Sequence, residues 1–256
     1  MKRIHWILIA IVAVIIIGAL ILYLWPENLP QDQYQKISSE IGPYNAVIIF
    51  NPGGWGNATL AESKDFTPIL EQVQQTFDDM GFNTVIIPYA RTPAGLSARL
   101  TDVKELLNYF KNTSKIQSRT VTALAQNFPD KQFIVIGFSN GGGLTYKTCT
   151  GISAQLNVCG MVVGVPNWYR VKASENFLVL NNSGRDTLSK INIKDFLWTI
   201  VKAPFIWLKG KITGHGESLA LSFQFPGHVY DWSSPEVGHP IIMFLKDHYK
   251  GKNPAP

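Results

Sequence analysis

Gln132-Phe133-Ile134-Val135-Ile136-Gly137-Phe138-Ser139-Asn140-Gly141-Gly142-Gly143 is the stretch that decides how this chain reads. An apolar run of buried-strand length passes through Gly-x-Ser-x-Gly and opens into a helix, the layout of a nucleophile elbow. A serine held on so tight a strand-to-helix turn has strained backbone. The residues two before and two after it must be small enough for strand and helix to approach, and Gly137 and Gly141 meet that need.

Working outward, strand-like apolar runs recur at residues 46–50, 84–88, 160–165, 177–180 and 218–225, with helical segments between them. Residues 68–80 carry Ile69, Leu70, Val73, Phe77 and Met80 at helical spacing and stop at Gly81, a C-terminal cap. Residues 102–110, 118–128 and 240–248 read as further helices. Such alternation predicts an α/β fold with a mostly parallel sheet and helices on both faces.

The chain has 256 residues, 46% of them hydrophobic and 16% charged, enough for one domain with a substantial core and a short appendage. Residues 4–25 contain no charged side chain, and at about 1.5 Å of rise per residue such a helix is long enough to cross a bilayer. Lys2 and Arg3 precede this run while Glu27 and Asp32 follow it. The expectation is a single-pass membrane protein with a cytoplasmic N-terminus and an extracytoplasmic domain. A cleaved signal peptide is the competing reading, weakened by the length of the run and the lack of a small-x-small cleavage site. The expected division is an anchor at 1–25, a polar, proline-punctuated linker at 26–43 and a catalytic domain at 44–256.

A formal net charge of +5 without a long basic tract argues against nucleic-acid binding. Cys149 and Cys159 are the only cysteines, and their spacing lacks a metal-ligand pattern. On the exported side they would form a disulfide; otherwise they are two buried thiols. No metal, nucleotide or flavin site is expected.

The pattern of strands and motifs over residues 44–249 resembles the α/β-hydrolase superfamily, in which nucleophile, acid and histidine follow in that order, each after a strand. The resemblance implies Ser139 as nucleophile and Asp186 as the acid, in the polar turn after strand 177–180. Two histidines compete as the base. His228 stands in Phe225-Pro226-Gly227-His228, and the downstream Pro235-Glu236-Val237 and Phe244-Leu245 favour it; His239 opens the last helix. The resemblance assigns one oxyanion donor to the N–H of Asn140 and a second to Phe50-Asn51-Pro52-Gly53-Gly54-Trp55-Gly56. That loop is similar to the glycine-rich oxyanion loop of lipases and esterases, with Asn51 where a histidine is often found. Pro52 has no N–H to offer, so the choice falls on Gly54 or Trp55. As a phosphate cradle the same loop would lack the P-loop lysine and hydroxyl.

The implied activity is a serine esterase or lipase acting on a small-molecule or lipid acyl ester through an acyl-enzyme intermediate. A peptidase, thioesterase or acyltransferase would use the same three residues, and a catalytically silent hydrolase-like binding module is the alternative from another class. Residues 186–217 mix large apolar side chains with lysines, which suits either a membrane-surface helix or an ordinary sheet-covering one.

Overall fold

The computed structural model describes residues 29–54, 56–92, 95–190, 193–213, 225 and 227–249, together with scattered positions between 6 and 26. Five strands, β1 (Ala46–Asn51), β2 (Thr84–Pro88), β3 (Gln132–Phe138), β4 (Val158–Val163) and β5 (Phe177–Leu180), form one sheet in the order β2-β1-β3-β4-β5. All four pairings are parallel. The helices are α1 (Tyr34–Glu40), α2 (Thr67–Asp79), α3 (Leu96–Leu107), α4 (Lys111–Asn127), α5 (Asn140–Cys149), α6 (Thr187–Lys190), α7 (Ile193–Ile212) and α8 (Gly238–Tyr249).

Alternation along the strands divides the core. Ala46, Ile48, Phe50, Ile134, Ile136, Met161 and Val163 face α2 and α8, where Leu70, Val73, Phe77, Ile241 and Leu245 are buried against them. Val47, Ile49, Phe133 and Val135 face the opposite way, onto Ile37, Ile41, Val121 and Leu124 of the α1 and α4 layer. Buried on both faces, β1 and β3 read as continuous apolar runs, as central parallel strands do.

The registers set where the site lies. Asn51 is level with Gly137, Phe138 with Val163, and Val163 with Leu180. The loops leaving β1, β3, β4 and β5 therefore emerge along one edge. Chain order reverses between β1 and β3, and in an open parallel sheet the crevice at the carboxyl end of such a switch point is where ligands bind.

Several expectations need correction. Among the described residues no helix is long and apolar enough to cross a membrane. Half of residues 4–25 lie outside the described residues. The N-terminal transmembrane helix expected ahead of the α/β fold, the membrane contact through it and the single-pass localisation are thus not borne out. The 20-residue α7 matches a span in length, but Lys194, Asp195, Lys202, Lys209 and Lys211 lie along it. It buries Thr199 and Ala203 and exposes Trp198, Phe205 and Ile212.

Part of the stretch read as linker is also built into the body. Ile37 and Ile41, four apart on and just past α1, are fully buried, and Asp32 accepts a hydrogen bond from Thr120 Oγ1 at 2.8 Å. Prolines and polar residues dominate the composition there and mask this short apolar face. The strand expected at 218–225 lies outside the described residues except for Phe225, which is irregular. Cys149 and Cys159 are not joined in a disulfide.

Candidate active site

Ser139 follows β3 directly and has φ 52° and ψ −122°, a region that a residue with a side chain rarely occupies. Backbone bonds on both sides hold it there: its N–H donates to Val163 O at 2.9 Å, and its carbonyl accepts from Gly142 N at 2.9 Å. A methyl group on Gly137 or Gly141 would collide with the backbone facing it, Gly141 O in the first case and Asn51 and Pro52 in the second. The two glycines are therefore required by strand–helix approach, as the motif predicts.

Asn140 is the first residue of α5, so its N–H belongs to the helix's unpartnered first turn and is available to a developing negative charge. In the loop after β1, a methyl group on Gly53 would lie 3.3 Å from Ser139 Cβ. Gly54 has φ +61°, and its carbonyl accepts from Arg91 Nη2. Trp55, the other donor expected in this loop, lies outside the described residues. Asn51 turns inward: its Nδ2 donates to Gln117 Oε1 at 3.1 Å and Thr145 Oγ1 at 2.8 Å, and Gln117 Nε2 donates back to Asn51 Oδ1 at 2.8 Å. The asparagine in the place of a histidine thus ties the root of the loop to α4 and α5.

Asp186 is fully buried. Its Oδ2 accepts from His228 Nδ1 at 2.9 Å, Tyr230 Oη at 2.6 Å and Ser189 Oγ at 3.1 Å, and its Oδ1 accepts from Leu188 N at 2.9 Å. An ionised carboxylate only accepts, so it fixes His228 with the proton on Nδ1 and Nε2 free as an acceptor. Burial acts to raise the Asp186 pKa, but the hydrogen bonds from His228, Tyr230 and Leu188, with the attraction of His228, outweigh it and hold the carboxyl below its ordinary value. Burial beside the same carboxylate pushes the Tyr230 phenol far upward, so it stays a donor.

The sign of the stability effect follows. With a folded pKa below the ordinary 3.8, Asp186 stabilises the fold above that value and loses the contribution as pH falls through the depressed pKa. Denaturant unfolding across pH 5 to about 2 should show this acid loss in the native protein and a smaller one in Asp186→Asn. Equal pH dependence in both would contradict it.

The histidine loop is fastened to the acid loop by Asn182 Nδ2 donating to Gly227 O at 3.0 Å and by the Arg185–Glu236 ion pair. The His228 ring stacks on Phe138, centroids 5.2 Å apart and 25° between planes, so the imidazole lies beside the residue preceding the serine. Gly164, where β4 ends, makes room for it: a methyl there would come within 2.9 Å of His228 Cε1 and 3.2 Å of Asp186 Oδ2. Among the described residues Ser139 Oγ and His228 make no direct hydrogen bond, a looseness common before substrate binds. His239 is exposed in the first turn of α8 and does not contact Asp186. Of the two candidate histidines, only His228 hydrogen-bonds Asp186.

Sequence reading overlooked Tyr230, Gly53 and the buried pair Arg91–Asp102. Arg91 had a signal in principle. It lies three residues past the end of β2, and the pairing of Phe50 with Pro88 brings the loops after β1 and β2 side by side.

No protein-family model matches this chain, and no curated protein matches it. A solved structure that is similar is the Trichoderma reesei cutinase in complex with a C11Y4 phosphonate inhibitor, with 13% identity, coverage of 85% of each chain and a TM-score of 0.46. What the coordinates themselves define is a parallel α/β protein carrying a strained serine and a carboxylate-bound histidine on one sheet edge.

Proposed function

We propose that this protein is a serine hydrolase that cleaves a carboxylic ester, with Ser139 as nucleophile, His228 as general base and then acid, and Asp186 as the group that orients His228. The observation that carries this reading is the 2.9 Å Asp186–His228 bond at the sheet edge where Ser139 stands in strained backbone. The loops that carry Asp186 and His228 meet beside Phe138, the residue preceding Ser139, with a buried anion behind the imidazole; ordinary packing has no need of that arrangement.

The chemistry runs in two halves. His228 Nε2 takes the Ser139 hydroxyl proton as Oγ attacks the ester carbonyl carbon, and the resulting imidazolium is stabilised by Asp186. The tetrahedral oxyanion is met by the N–H of Asn140 and by the N–H of Gly53 or Gly54. Collapse expels the alcohol, which takes the proton from His228 and leaves an acyl group on Ser139. Water, deprotonated by the same nitrogen, then releases the acid and restores the serine.

A nitrophenyl ester series from acetate to decanoate tests the reading. Steady turnover preceded by a nitrophenolate burst near one equivalent is the expected result. Folded protein that gives neither with any member overturns it. Activity confined to the shortest chains would rule out a lipid substrate within the ester class.

A further inference from the structure

The loop that supplies the second oxyanion donor is glycine-rich, and Gly54 takes a positive φ, so the sequence alone does not give it one shape. Its shape comes from a group outside the three catalytic residues. Arg91 is buried, and four of its contacts converge on this loop and on Asp102. Its Nη1 donates to Pro52 O at 2.6 Å, its Nη2 to Gly54 O, and its Nε to Asp102 Oδ1 at 2.9 Å, with a longer 3.4 Å contact from Nη2 to Asp102 Oδ2. Asp102 Oδ2 accepts the N–H of Gly56 at 2.8 Å, and Arg91 N donates to Gly56 O at 2.8 Å. The guanidinium lies over the Phe110 ring, 5.4 Å from its centroid. The side chains of the pair are only 2% and 6% exposed.

Resting on the hydrolase reading above, we infer that Arg91 and Asp102 are positioning residues for the oxyanion hole. Because a peptide unit is planar and trans, a carbonyl turned toward Arg91 turns the N–H of the following residue away from it. Capturing Pro52 O thus turns the N–H of Gly53, the residue that stands against Ser139, out of the Arg91 side of the loop. The pair acts before the reaction. It leaves the loop no freedom to turn that donor inward, so no reorganisation is needed when the negative oxygen forms. Lysine cannot substitute, because a single ammonium does not span two carbonyls and a carboxylate in one plane.

Two variants separate this role from a purely structural one. Arg91→Lys keeps a cation opposite Asp102 but loses the fork. Arg91→Met combined with Asp102→Leu removes both charges together, a change that buried pairs often tolerate without loss of stability. For either variant that folds, kcat per titrated active site should fall about 100-fold with KM within about threefold, the scale expected of a misplaced catalytic group. Phosphonylation of Ser139 should slow in parallel, and amide exchange over residues 51–58 should quicken. If kcat per active site stays within about threefold of the native value in Arg91→Lys, or loop exchange is unchanged, the positioning role is overturned while the hydrolase reading stands. A native protein inert to every ester and to the phosphonate overturns both.

Discussion

Ser139→Ala is expected to lower ester turnover by roughly 10⁴–10⁶-fold, because nucleophile and base act as a unit and removing either costs nearly what removing all costs. The fold should survive. Among the described residues the Ser139 hydroxyl makes no hydrogen bond, and alanine leaves intact the backbone bonds to Val163 and from Gly142 that hold the elbow. The unfolding midpoint by circular dichroism should therefore stay within a few degrees of the native value. Turnover within tenfold of native would remove Ser139 from the chemistry, whatever its geometry.

His228→Ala is expected to cost a similar factor, roughly 10⁴–10⁶ in kcat, whereas His239→Ala should leave kcat within about twofold. The difference follows from Asp186. Its carboxylate grips one imidazole nitrogen of His228 and makes no contact with His239, which points to solvent. Removing His228 also takes one donor from the acid, but Tyr230, Ser189 and the Leu188 N–H still hold it, so the folded state persists with a silent serine. Measuring both variants with one short-chain ester settles the base. An active His228→Ala, or an inactive folded His239→Ala, would reverse the assignment.

Much of this architecture was open to a reader of the sequence, and for local reasons. β2, β3 and β5 announced themselves at their observed limits as apolar runs, β3 most plainly because it is buried on both faces and has no polar alternation to blur its ends. The elbow was legible because the glycine spacing is dictated by strand–helix clearance at two positions. The acid and the histidine were reachable only through the order the resemblance supplied. Nothing local marks Asp186 as buried, or distinguishes His228 from His239, until the loop after β5 and the loop ahead of α8 are folded together.

Other features escaped because they depend on contacts distant in sequence. Arg91 meets Pro52 and Gly54 across 39 and 37 positions, and Tyr230 meets Asp186 across 44. A buried arginine looks the same in sequence as a surface one. The N-terminal expectation was misled in another way: apolarity and length make a run suitable for a membrane, but the described helices do not include one that could cross it. Residues 34–41 were assigned by composition, which hides a two-residue apolar face amid polar neighbours.

The account stands or falls on the reactivity of one hydroxyl, and the most direct measurement is peptide mapping by mass spectrometry after incubation with a fluorophosphonate. The phosphorus should be found on the peptide containing Ser139, at one equivalent per chain, and the same site should be unlabelled when His228 is alanine. Folded native protein that emerges unmodified, or carries the adduct on another serine, would contradict the hydrolase reading and leave a binding module built on the same sheet.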